Sequence, residues 1–231
     1  MSPRVHNLLQ RRPELSVCQA DLIQAFEMMR ECFRHGGKML LCGNGGSAAD
    51  AEHWAGELLK GFGHKRPLNR KEKHSLPAEL GLKLQNALPA ISLTGFVSLG
   101  TAFANDVDPH LVFAQLVWGL GNRGDLLVGL STSGNARNVC AAMEAAKARG
   151  LVRVGLSGKT GGRMSSHCDL CIRAPASETY LIQEFHLPIY HCLCLMLEDE
   201  FFGGADSLND LTGFPFQGRR DETQPSSQPV K

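Results

Sequence analysis

Short apolar segments alternating with helix-length stretches constrain this chain more than any other feature. Residues 38–42, 89–93, 125–130, 152–157 and 169–174 are strand-length runs rich in Leu or β-branched residues. Helical patterning fills 14–35, 48–59, 97–104, 110–120, 136–149 and 178–202. Apolar strands separated by helices belong to parallel sheets covered on both faces, because a crossover must carry the chain back to the same end of the sheet. The expectation is an α/β fold: a five-stranded parallel sheet flanked by helices, with an N-terminal helical extension at 14–35 that Gly36 and Gly37 end. Residues 64–88 interrupt the alternation as a basic, proline-bearing insertion that regains helical character near 79–88. Residues 1–203 read as one domain. Residues 204–231 are too polar to bury the surface that ordering requires and read as a loose tail.

Composition narrows the function classes. Apolar residues make up 43% of the 231, and 24 Lys and Arg against 23 Asp and Glu leave a formal charge of +1. No global field recruits nucleic acid or an anionic membrane. No apolar run approaches the roughly 18 residues of a bilayer span, and the first residues lack the apolar core of about 7–15 residues found in a signal peptide. Eight cysteines scattered through apolar stretches read as reduced thiols used as small hydrophobes. These features point to a soluble cytoplasmic protein.

In an open parallel sheet, ligands bind beyond the carboxyl ends of the strands. Two such ends carry distinctive turns: Gly43-Asn44-Gly45-Gly46-Ser47 after the first strand and Ser131-Thr132-Ser133-Gly134-Asn135 after the third. Each opens a helix, so each aims backbone N–H groups and a positive dipole end at one spot and adds uncharged hydroxyl donors. That chemistry suits a phosphate. Either turn alone is accounted for as a helix cap; two on separate strand ends of one sheet favour an anion site. A nucleotide cofactor is not expected. Residues 43–48 fit G-x-G-x-x-A, but no acidic residue follows about 20 positions on, and the next strand ends Ile91-Ser92-Leu93-Thr94. A P-loop pattern is absent from the sequence.

His53 and Glu57 lie four apart on the helix opened by the first turn and share a face. In the last helix Gln183, Glu184, His186 and His191 are polar positions in an apolar run. At about 100° per residue, Glu184 and His191 differ by about 20° and Gln183 and His191 by about 80°. Pro188 between them removes one helical bond, and a kink there would re-aim the two halves. A single His–Glu pair on a helix is usually a surface pairing, so periodicity alone assigns no base. Cys168 and Cys171 have C-x-x-C spacing, but a strand there sends them to opposite faces and no second pair completes a zinc site. Cysteine chemistry is not expected.

Taken together, Leu41-Cys42-Gly43-Asn44-Gly45-Gly46-Ser47 followed by Ala48-Ala49-Asp50-Ala51-Glu52-His53 and Glu57, then Leu130-Ser131-Thr132-Ser133-Gly134-Asn135, then Ile182-Gln183-Glu184-Phe185-His186, resemble the sugar isomerase (SIS) domain family. Within it they are most similar to the phosphoheptose isomerases, which act on sedoheptulose 7-phosphate. The resemblance implies an aldose–ketose isomerase working through an enediol, a homotetramer, and active sites built between subunits. It implies that Asn44, Gly45, Gly46, Ser47, Ser131, Thr132, Ser133, Asn135 and Gln183 hold the sugar phosphate and that Asp106, beside Asn105, orients it. Glu57 matches the family's general base and His191 its acid/base partner. His53, Glu57, Gln183 and His191 match positions that bind zinc in some members. This chain departs from the family pattern at Ala136, where a further serine is usual, and at Tyr180, where an acidic residue is usual. Lys60 comes one place before the usual arginine, and Lys60 or the basic 64–73 stretch is the candidate for the missing cation. The resemblance also reaches non-catalytic proteins that sense phosphosugars or bind the replication initiator DnaA. The presence of both Glu57 and His191 favours catalysis.

Overall fold

Period-2 alternation sorts the strand residues into two cores. In a computed structural model, which describes residues 2–203, the strands are β1 (Met39–Cys42), β2 (Ala90–Ser92), β3 (Leu126–Ser131), β4 (Val152–Ser157) and β5 (Leu170–Arg173). They pair in parallel throughout, in the order β2-β1-β3-β4-β5. Met39, Leu41, Val128 and Val154 point to one face, while Leu40, Cys42 and Leu127 point to the other. The helices, in chain order, are α1 (Pro3–Arg11), α2 (Gln19–Arg34), α3 (Gly46–Leu59), α4 (Arg70–His74), α5 (Ala78–Lys83), α6 (Val97–Asp106), α7 (Val112–Leu120), α8 (Arg137–Arg149) and α9 (Thr179–Phe202). The first face is covered by α1, α2, α3 and α9, which contribute Leu8, Met29, Trp54 and Leu193. The second is covered by α7 and α8, with Phe113, Val117, Val139 and Met143. The expected sheet and its flanking helices are what the chain forms.

The strand order positions the site. The chain steps outward from β1 to β2, then returns past β1 to build β3, so the carboxyl ends of β1 and β3 adjoin at the reversal. This is where open α/β sheets leave a crevice. The turns leading into α3 and α8 both start there.

Three local expectations are corrected. Residues 13–18 wind as a tight 3-10 segment, so α2 begins only at Gln19. Ahead of it stands α1, which the sequence pattern did not announce; Pro3 opens it, and Ser2 Oγ accepts from Arg4 N at 3.3 Å. Within the insertion, helix α5 stops at Lys83 instead of running on to residue 88. Gln85 pairs with Pro67 in an isolated antiparallel bridge, and Asn86 Nδ2 donates to the Pro67 carbonyl at 2.9 Å, which ties the insertion at its neck. Pro188 lies inside α9, which is helical on both sides of it from Thr179 to Phe202. Among the described residues, no helix is long and apolar enough to cross a membrane. The tail expected at 204–231 lies outside the described residues.

Candidate active site

The two turns meet as the sheet topology requires. Gly46 opens α3, and a Cβ at that position would collide with the Gln183 amide, so only glycine lets α9 bring Gln183 to the helix start. Gly134 has φ +65°, and a Cβ there would strike the backbone of Gly161. The second turn is thereby laid on the Gly161–Gly162 backbone, and Met164 N donates to the Gly134 carbonyl at 2.8 Å. Ser47 and Ser131 are buried, Thr132 is half-buried, and Ser133 and Asn135 are exposed. Ser133 Oγ accepts from Asn135 N at 3.1 Å, and Asn135 Oδ1 accepts from Arg163 N at 3.0 Å. Asn44 and Asn138 bridge the turns with two amide hydrogen bonds, 2.9 and 2.8 Å.

A second polar cluster stands further along α3. Glu57 is 12% exposed at its side chain, with Oε1 3.1 Å from His53 Nε2 and Oε2 accepting from Lys60 Nζ at 3.1 Å. The His191 ring lies 5.0 Å from that of His53 and 5.1 Å from that of Phe62, centroid to centroid. Burial and the neighbouring His53 lower the His191 pKa, against the pull of Glu57. His191 Nε2 is buried with no hydrogen-bond partner. Behind His53, Tyr190 reaches both His53 and Asp50. His186, wholly buried, donates from Nε2 to the Ser157 carbonyl at 3.3 Å, and burial lowers its pKa to about 4.

The two clusters lie at opposite ends of α3. Ten residues of helix, about 15 Å of axis, separate Ser47 from Glu57. Glu57 therefore does not stand at the mouth of the first turn. Gln183, and not Glu184, faces the turn; Glu184 is exposed. Asp106, exposed at the end of α6, accepts a hydrogen bond from Asn105 at 2.8 Å and touches neither turn through a hydrogen bond.

The donors expected to hold zinc divide between the clusters. His53, Glu57 and His191 lie near one end of α3, and Gln183 lies against Gly46 at the other. Among the described residues, no three His, Cys, Asp or Glu side chains stand close enough together to hold a metal ion. As the side chains stand within one chain, the four donors do not fit a single zinc ion, whose bonds to N and O are about 2.0–2.2 Å.

Several partners had no signal in periodicity. Arg66, from the basic insertion, is 1% exposed; its Nε donates to Glu198 at 2.9 Å, and its Nη atoms donate to the carbonyls of Leu58 and Glu57 at 2.6 and 3.0 Å. Glu198 also accepts from the backbone N–H groups of Phe62, Gly63 and His64. This buried pair holds the end of α3 that carries Glu57. Asn138, Asp50 and Tyr190 are further residues that only the tertiary structure brings in. The expected opposite placement of Cys168 and Cys171 is corrected: both sulfurs meet beside Gly155, because Cys168 precedes β5 and escapes strand alternation. A hydrogen bond from Cys168 lowers the Cys171 pKa, and the same contact together with burial raises that of Cys168.

Residues 6–158 match the SIS domain family. The chain belongs to the SIS domain family. This SIS domain is 43% identical to the phosphoheptose isomerase of a Roseiflexus species over 185 residues, 80% of this chain and 84% of that protein. It is 45% identical to the phosphoheptose isomerase of a Nitratiruptor species over 171 residues, 74% of this chain and 81% of that protein. Among solved structures, the phosphoheptose isomerase of Francisella tularensis shares its fold with a TM-score of 0.70 and 31% identity, covering 84% of this chain and 94% of that one. The corresponding enzyme of Neisseria gonorrhoeae gives a TM-score of 0.66 and 33% identity, covering 85% and 92%.

Proposed function

We propose that this SIS domain, spanning residues 1–203, is an aldose–ketose isomerase that interconverts sedoheptulose 7-phosphate and a heptose 7-phosphate through an enediol. The carrying observation is Glu57, a mostly buried carboxylate gripped between His53 and Lys60 beside a partnerless His191 Nε2. Named relatives at more than 40% identity over most of their length support the same substrate. A protein that only senses phosphosugars or binds DnaA has no use for such a carboxylate.

Isomerisation moves a proton between adjacent carbons, so it needs a base above the carbon and an acid or base at the carbonyl oxygen. Glu57 takes and returns the C–H proton. His191, kept neutral by burial, exchanges a proton with the oxygen. Backbone amides and hydroxyls of Ser47, Ser131, Thr132 and Ser133 hold the phosphate, with Asn44, Gly45, Gly46, Asn135, Gln183 and Asp106 positioning the sugar. Grip on the remote phosphate places the reacting carbons over the base. Lys60 supplies the cation that the family's arginine supplies elsewhere, already 3.1 Å from Glu57.

An extended seven-carbon sugar phosphate is shorter than the stretch from Ser47 to Glu57. Phosphate grip and base therefore come from different copies, and we infer a homotetramer. The apolar helix α6 buries none of its residues, and Phe96, Val97, Leu99 and Leu111 around it are exposed, which suits a face covered by another copy. If zinc binds, Gln183 must leave Gly46 or come from a neighbour; bound, the ion would stabilise negative charge on substrate oxygens. The eight free thiols suit a reducing cytoplasm. Glu57→Gln keeps shape but removes the base: with sedoheptulose 7-phosphate it should abolish turnover and exchange of the C–H proton with deuterated water while inorganic phosphate still binds. Retained exchange overturns the assignment.

A further inference from the structure

The Tyr190 hydroxyl lies 2.9 Å from His53 Nδ1 and donates to Asp50 Oδ1 at 3.3 Å, while His53 Nε2 faces Glu57 Oε1 at 3.1 Å. Four side chains from α3 and α9 thus form one line: Asp50, Tyr190, His53, Glu57. Packing holds the hydroxyl in place. Tyr190 is wholly buried, and its ring stacks on Trp54 with centroids 5.3 Å apart and planes 18° apart.

The line has a direction. A carboxylate only accepts, and a tyrosine hydroxyl carries one proton. With that proton given to Asp50, the tyrosine oxygen accepts from His53, which must then carry its own proton on Nδ1. Nε2 is left as a lone pair. Two acceptors, Nε2 and Glu57 Oε1, then face each other 3.1 Å apart, a gap that favours a donor placed between them.

We propose that Asp50 and Tyr190 are positioning residues that fix His53 as the Nδ1–H tautomer, so that Nε2 and Glu57 together accept from a hydroxyl of the sugar at the reacting carbon. This rests on the isomerase assignment of the Glu57 cluster. Without the tyrosine hydroxyl, His53 is free to carry its proton on Nε2 and donate it to Glu57. The imidazole then caps the base and closes the gap against the substrate. The ring of His53 stays where it is; only the proton changes side.

Two conservative variants separate this from a packing role. Tyr190→Phe keeps the ring on Trp54 and deletes the oxygen. Asp50→Asn keeps the shape but places a donor where an acceptor stood, which reverses the line and turns the tyrosine proton toward His53. Nitrogen-15 NMR of histidine-labelled full-length protein, with His53→Gln for assignment, reads the tautomer directly. The expected result is Nδ1–H in the wild type and Nε2–H in both variants. Alongside it, kcat should fall roughly ten- to hundredfold, the usual loss on removing a group that orients an active-site histidine. Affinity for inorganic phosphate and the melting temperature should stay unchanged. An unaltered His53 tautomer in Tyr190→Phe, or a kcat within twofold of wild type, overturns the proposal. Asp50→Asn decides it in the same way if Tyr190→Phe folds poorly. Absence of any sugar-phosphate turnover in the wild type would instead remove the isomerase assignment, and the tautomer readout would still decide the positioning role.

Discussion

Asn44 and Asn138 hold each other by two hydrogen bonds, 2.9 and 2.8 Å, each amide donating to the other across the crevice between β1 and β3. The pair locks the first turn to the start of α8, so the phosphate donors of both turns are set at a fixed spacing before any ligand arrives. Asn138→Ala removes both bonds. Each is worth about 1 kcal/mol net, so the expected outcome is a phosphate affinity several-fold to about thirtyfold weaker with little change in melting temperature. Calorimetric titration with sedoheptulose 7-phosphate measures it, and an unchanged Kd contradicts the locking role.

Arg66 and Glu198 form an ion pair with both side chains at 0% exposure. Arg66→Met leaves the carboxylate buried with only backbone donors and frees the carbonyls of Glu57 and Leu58. Breaking a buried pair in this way costs about 3–5 kcal/mol. Glu198→Gln should cost less, because its amide oxygen still accepts from the Phe62 to His64 backbone. Urea unfolding ranks the two, and the reverse order contradicts the account.

The buried His186 gives stability a pH dependence with a defined sign. Its folded pKa, about 4, lies below the ordinary value of about 6.5. Below pH 6.5 the unfolded chain gains a proton that the folded one refuses, so stability is lost as pH falls toward 4, by up to about 1.4 kcal/mol per pH unit. Between pH 7 and pH 5 this amounts to about 2 kcal/mol. His186→Gln should unfold with a shallower pH dependence over that interval; parallel slopes would falsify the assignment.

Cys171 should be the most reactive of the eight cysteines. Its thiol is lowered by the hydrogen bond from Cys168, whereas burial pushes Cys42 up to about 12. Iodoacetamide at neutral pH, followed by peptide mass spectrometry, should label Cys171 first. Cys168→Ala should slow that labelling by removing the donor. Equal labelling of Cys171 and Cys42 counts against the pairing.

The sheet and its two turns were legible in the sequence because each depends on local rules. Strand alternation needs only period 2, and a Gly- or Ser-rich turn between strand and helix needs only backbone chemistry. His53 and Glu57 were equally visible, four apart on one helix. What escaped was whatever depends on chain distant in sequence. Arg66 reads as one more charge in a basic insertion, and only Glu198, 132 residues away, makes it a buried clamp. Gln183 and Glu184 were equal candidates on a helical wheel until Gly46 selected the first. Cys168 and Cys171 were misplaced because alternation was applied one turn before the strand began. Ser2 and Pro3 did carry a helix-start signal, lost in a short polar segment whose buried Val5 and Leu8 gain meaning only against α9.

The length of α3 has a genetic consequence. If one protomer's turns hold the phosphate while its neighbour's Glu57 does the chemistry, each active site draws on two copies of the chain. A chain with Glu57→Gln keeps its phosphate grip, and a chain with Ser47→Ala and Ser133→Ala keeps its base. Each is inactive alone. Co-expressed, the two would form hybrid assemblies in which some sites combine the intact half of each, so two defective alleles would restore growth that neither supports.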